Sequence, residues 1–133
     1  MSPAPARTDH NIWPLFTSDN ALALREFLKN LGFEEGVLIA DGQHVQHSEM
    51  VWPEGGRLMV CTARPDDPDM QPAGVGNIYI VTDNPDRVHD RAVNAGVEIT
   101  VQLQNTDYGS RDFGVRTPDG HTVSFGTYAG ESD

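Results

Sequence analysis

The feature that most restricts how this 133-residue chain can fold is an internal repeat. Asn30-Leu31-Gly32 returns as Asn94-Ala95-Gly96 after 64 positions, and Pro53-Glu54-Gly55 returns as Pro118-Asp119-Gly120 after 65. The first motif stops a helical pattern and the second makes a tight turn, so the matches fall at equivalent points of two halves. In the first half, residues 12–17 read as a strand that Pro14 confines to a sheet edge. Ser18 and Asp19 then supply N-caps, and Ala21, Leu22, Leu24, Arg25, Phe27, Leu28 and Leu31 recur at helical spacing up to Gly32. Strands follow over 33–40, 45–52 and 57–63, with turns at Asp41-Gly42 and Glu54-Gly55-Gly56.

The second half repeats the order. A strand over 77–82 leads to Asn84 as a cap and Pro85 in a first helical turn, with Val88, Ala92, Val93 and Ala95 forming the apolar face before Gly96. Strands at 98–103, 111–116 and 121–128 complete it. The pattern predicts an α+β fold: two β-α-β-β-β modules whose curved mixed sheets surround a cleft, with helices on the outer face. It covers one domain over 11–128, with module one at 11–63, a Pro- and Asp-rich connector at 64–75 and module two at 76–128. Residues 1–10 and 129–133 are expected to be flexible tails.

Charge and cysteine content exclude several partners. With 9 Lys and Arg against 20 Asp and Glu, the chain carries −11, which repels nucleic-acid phosphates and anionic lipid. The same field attracts cations. The one cysteine, Cys61, has no partner for an internal disulfide and reads as an apolar filler, which favours a reduced, cytoplasmic setting. No apolar run reaches the roughly 18 residues of a membrane span.

The richest stretch is 108–128, read as a β-hairpin about Pro118-Asp119-Gly120. Val123 and Phe125 fall on one face, and Thr122, Ser124, Gly126 and Tyr128 on the other. Asp112 and Arg116 on its first strand either fix a polar group or pair with each other. His47 and Glu49, two apart on another strand, read either as a surface pair or as part of a metal or acid–base site.

Pro14, Glu26-Phe27, Leu31-Gly32-Phe33, Tyr108-Gly109, Arg111-Asp112-Phe113, Arg116, Pro118, Gly120, Val123 and Phe125, in this duplicated order, resemble the vicinal oxygen chelate superfamily, and within it the bleomycin-resistance branch. The positions that carry the metal in metal-dependent relatives correspond here to Ile12, Met59, Asn77 and Ser124, which lack the imidazoles and carboxylates a divalent ion requires. The resemblance, with this departure, implies no metal, no cofactor and no catalytic residue. Period-2 counting from those positions turns Pro14, Phe16, Arg57, Cys61, Tyr79, Val81, Thr122 and Tyr128 into the cleft, and Trp13, Leu15, Leu58, Val60, Ile78, Ile80, Val123 and Phe125 towards the helices. The expected ligand-binding residues are therefore Phe16, Trp52, Met59, Asn77, Tyr79, Tyr108, Asp112, Ser124 and Tyr128.

Such a site implies a binding protein that sequesters a planar, cationic organic ligand or antibiotic. The alternative is a lyase, isomerase or dioxygenase of the same fold acting on a small metabolite. The resemblance also implies a homodimer whose clefts draw on both subunits.

Overall fold

A computed structural model describes residues 11–130; the expected tail at 1–10 and the last residues, 131–133, lie outside it. Ten elements run in the order β1 (Leu15–Ser18), α1 (Ala21–Leu31), β2 (Glu34–Asp41), β3 (His44–Val51), β4 (Arg57–Thr62), β5 (Asn77–Val81), α2 (Pro85–Asn94), β6 (Glu98–Asn105), β7 (Arg111–Arg116) and β8 (Thr122–Gly126). They make two four-stranded mixed sheets, ordered β1-β4-β3-β2 and β5-β8-β7-β6. In each, the strand before the helix runs parallel to the last strand of its module, and the remaining pairs are antiparallel. The α+β arrangement expected from the repeat is the one observed.

Each helix covers one face of its own sheet. Ala21, Leu24, Leu28 and Leu31 of α1 and Val88 and Ala92 of α2 are buried, against Leu58, Val60, Val115, Val123 and Phe125 from the strands. Arg25 is buried within α1 and donates to the carbonyl of Glu49 at 3.2 Å, where the β2–β3 register slips between Glu35 and Leu38. A bulge leaves backbone acceptors without ladder partners, and the guanidinium satisfies one of them.

Only α1 and α2 meet as elements across the module boundary. Two reciprocal sets of hydrogen bonds complete that joint. The Asp119 carboxylate of the module-two turn accepts from Ser18 Oγ at 2.5 Å and the Asp19 N–H at 3.4 Å, where β1 passes into α1. The Glu54 carboxylate of the module-one turn accepts from Thr82 Oγ1 at 2.6 Å and the Asp83 N–H at 2.8 Å, where β5 passes into α2. Ser18 and Thr82, both fully buried, then accept from the N–H of Asn20 and Asn84. The N-cap of α1 is therefore Asn20, whose side chain accepts from the Ala23 N–H, rather than the expected Ser18 or Asp19; Ser18 is committed to the joint.

A buried imidazole adds a third link. His121 stacks on Phe16 with ring centroids 4.0 Å apart and planes at 3°. Its Nε2–H donates to the Thr17 carbonyl at 2.7 Å, and its Nδ1 accepts from the Gly76 N–H at 2.9 Å. A Cβ on Gly76 would lie 2.7 Å from a Phe16 ring carbon and 2.8 Å from His121 Nδ1, so only glycine lets the connector pass here.

This link corrects the expected facing of β1. Phe16 pairs with Val60 and Leu15 with Met59, so Phe16 points to the helix side, where it is 1% exposed, while Leu15 stays 44% exposed on the open face. Counting from Ile12 had put Phe16 in the cleft. Burying the larger ring against His121 sets the register instead, since an extra aromatic in the core outweighs one more leucine.

The joint generates a stability prediction. Asp119→Ala and Glu54→Ala should each lower the urea-unfolding free energy by about 1.5–3 kcal/mol, the range for hydrogen bonds that involve a charged group. Unchanged midpoints in both variants would show that the turns merely rest on their neighbours.

Candidate functional site

The face of each sheet opposite its helix is open. On module one it carries Leu15, Glu49, Arg57 and half-buried Met59, because Glu49 and Leu15 both flank Met59 in register and Val51 flanks Arg57. His47 Nε2 lies 2.6 Å from Glu49 Oε2, and Arg57 donates to Glu49 Oε1 at 2.6 Å. The Arg57 guanidinium also sits 5.1 Å from the centroid of the Trp13 ring, so Trp13 lies on this side and not on the helix side where it was expected. The hydrogen bonds from His47 and then Arg57 hold the Glu49 carboxyl below its ordinary value. Both of its oxygens are engaged, and an arginine on a carboxylate competes with any cation there. Among the described residues no three His, Cys, Asp or Glu side chains converge. The donor set that a divalent ion needs is not assembled there.

The open face of module two has a different chemistry. Tyr79 pairs in register with Ser124, Asn77 with Thr122, and Asp112 with Gly126. Asp112 Oδ1 accepts from Tyr79 Oη at 3.2 Å and from Ser110 Oγ, and Asp112 Oδ2 accepts from Tyr108 Oη at 3.0 Å. The Tyr128 N–H donates to Tyr79 Oη and Ser110 Oγ, both at 3.1 Å, and the Tyr108 and Tyr128 rings meet edge to face at 87° with centroids 5.7 Å apart. Of the chain's three tyrosines, Tyr79 and Tyr108 bond this carboxylate, and Tyr128 joins them through its backbone N–H and its ring. Any Cβ on Gly126 would strike Asp112 Oδ1 and Tyr79 Oη, so the network requires glycine beneath it. Burial first, with the nearby Asp112 charge adding to it, raises the Tyr79 phenol above its ordinary value; for Tyr108 the leading cause is its hydrogen bond to Asp112.

Sequence reasoning had named Asn77, Tyr79, Tyr108, Asp112, Ser124 and Tyr128, and the structure brings these six to one face. It leaves Met59 on the other module's sheet and Phe16 in the core. Trp52, expected near a mouth, is 4% exposed and packs between Phe33 and Phe125 at ring distances of 5.0 and 5.6 Å. Its edge lines a crevice of about 760 Å³ shared with Pro14, Arg57, Ile78, Tyr79 and Val81, and its Nε1–H is buried with no acceptor among the described residues. Arg116 bonds Glu98 at 3.0 Å rather than Asp112, because Glu98 is its register partner on β6. Ser110 and Gly126 were missed as parts of the network. The alternation Tyr108, Ser110, Asp112 was a visible signal for the first, while a glycine's steric role shows only once its neighbours are placed.

Two β-α-β-β-β modules, each with an open sheet face, define a glyoxalase-type protein. The chain belongs to the Glyoxalase/Bleomycin resistance protein/Dioxygenase superfamily, whose sequence profile matches residues 8–125. None of the curated proteins matches it. Among solved structures it is similar to TioX from Micromonospora sp. ML1, with 22% identity, a TM-score of 0.69, and coverage of 92% of this chain and 98% of that one. It is also similar to a lactoylglutathione lyase from Agrobacterium tumefaciens (19% identity, TM-score 0.64, 88% and 92% covered). A bleomycin-binding protein solved with bleomycin gives 14% identity, a TM-score of 0.65, and coverage of 89% and 98%. These likenesses establish the shared fold.

The Glu49 pair generates a pH prediction. A carboxylate held below its ordinary value stabilises the fold fully above the unfolded value of about 4.5, and that contribution disappears as pH falls from there through the lower folded value. Glu49→Gln should therefore cost stability at neutral pH and flatten the fall in melting temperature below about pH 4.5. Parallel curves for the two proteins would contradict it.

Proposed function

We propose that this protein binds and sequesters a small, largely planar organic molecule without transforming it. The observation that carries the reading is the open aromatic face of module two, where Tyr79, Tyr108 and Tyr128 remain 42%, 60% and 38% exposed although the hydroxyls of the first two and the backbone N–H of the third are held in place. Rigid, amphipathic rings presented to solvent are the usual material of a stacking site. The adjoining crevice supports it, since Trp52, Ile78, Ile80 and Val81 line it with apolar surface for a flat ligand. The −11 charge favours a cationic ligand, and a cationic antibiotic has the right chemistry. Against turnover stands the engagement of both oxygens of Glu49, a carboxylate paired with a histidine on an open face.

The reading includes a symmetric homodimer as its working form, with the protein free in the cytoplasm; no helix among the described residues is long and apolar enough to cross a membrane. β1 and β5 are edge strands with no cross-module partner, and among the described residues no element covers either sheet's open face. Pairing the edges of two copies would place module one of one subunit opposite module two of the other and complete two clefts.

A thermal-shift screen with light scattering tests both parts. Flat heteroaromatic cations should raise the melting temperature, more at low salt than at high, because exposed charges are screened over about 10 Å at 0.1 M. The mass should be twice the 14.6 kDa of the chain. Hits confined to small oxo-acids, or a hit that is chemically changed on incubation, would replace sequestration with an enzyme reading; a stable monomer would remove the shared cleft.

A further inference from the structure

Asp112 is a carboxylate without a cation. Among the described residues it joins no ion pair, and its sequence neighbour Arg111 is directed elsewhere, to Asp86 at 2.6 Å and Asn105 at 3.1 Å. Its charge is held by three neutral hydroxyls, from Tyr79, Ser110 and Tyr108. Hydroxyl donors stabilise the anion but leave its net charge in place, beside the rings of the tyrosines that bond it. Two of those rings, Tyr108 and Tyr128, stand at 87° to each other and form a corner beside the carboxylate.

We propose that this corner recognises an alkylated ammonium group, quaternary in the best case, carried by the ligand of the open face. The inference rests on the binding reading above and names the group that the site selects. The choice among cations follows from hydrogen-bond capacity. A carboxylate offers about four lone-pair sites, and three at Asp112 are already filled. A guanidinium or primary ammonium brings three to five N–H donors and would have to displace tyrosine hydroxyls to satisfy them. A quaternary ammonium brings none. It is stabilised by the Asp112 charge and by the negative faces of aromatic rings within about 6 Å, and it keeps the hydroxyl network whole. Gly126 keeps the floor of the corner low enough for the network to form. The same geometry disfavours anions twice, by charge and by the absence of any free donor cluster at the carboxylate.

The test uses the full chain and four probes: choline, its uncharged carbon isostere 3,3-dimethyl-1-butanol, ethylammonium, and quinoline as a flat neutral ligand. Binding is read by NMR shifts of the tyrosine rings and by calorimetry at matched ionic strength. Choline should bind at least tenfold more tightly than the isostere and more tightly than ethylammonium. Asp112→Asn should bring choline to within about twofold of the isostere. Tyr108→Leu, at a 60% exposed position that leaves the core untouched, should weaken choline at least threefold while Asp112 remains, and it decides the matter if Asp112→Asn fails to fold. Equal binding of choline and its isostere, or tighter binding of ethylammonium, would overturn the proposal. If quinoline binds and choline does not, the cation corner is refuted while the binding reading stands. If no probe binds, and the wider screen finds no ligand either, the binding reading falls as well.

Discussion

Two carboxylates on two turns hold this molecule in its working shape. Asp119 reaches from module two to the start of α1, and Glu54 reaches from module one to the start of α2. Each turn thus organises the other module's strand-to-helix passage, in a pseudo-twofold exchange. A hydrogen bond from a buried hydroxyl to a carboxylate is directional and costly to leave unmade, so the exchange fixes the angle between modules more tightly than helix packing alone. The consequence is functional. With helices, turns and the Phe16–His121 stack all used on one side, both sheets leave their other faces open.

Those faces have diverged although their backbones repeat. Module one has bound its charges to one another: His47, Glu49, Arg57 and the Trp13 ring form a closed series in which each group has a partner. Module two has instead gathered the chain's three tyrosines around one carboxylate that two of them bond and no cation pairs among the described residues. Internal salt bridges leave little field to act on a ligand, whereas a carboxylate held only by hydroxyls keeps its own. The division suits the proposed shared cleft, in which module one would supply a rigid wall and module two the recognition.

Much of this was legible before any coordinates. The offsets of 64 and 65 between Asn-Leu-Gly and Asn-Ala-Gly and between the two turns announced the duplication, and the turns turned out to be the residues that join the halves. Period-2 counting served β5 and β8, which pair in register with Tyr79 beside Ser124. It failed on β1, where Pro14 interrupts the strand and the count began three residues outside it, at Ile12. The facing of Phe16 depends on a stacking partner 105 positions away in sequence, which no local pattern encodes. For the same reason Trp52 read as a lid: nothing near it in sequence reveals that Phe33 and Phe125 enclose it.

The central claim is that ligands meet this protein on the tyrosine face of module two. Because the chain contains three tyrosines and four methionines, a sample labelled in tyrosine rings and methionine methyls gives a spectrum simple enough to assign. On titration with any compound that stabilises the protein, the account predicts saturable shifts of the Tyr79, Tyr108 and Tyr128 rings, with Met59 as the reporter of the facing module-one wall. Saturation of the protein with all three tyrosine signals unmoved would contradict it.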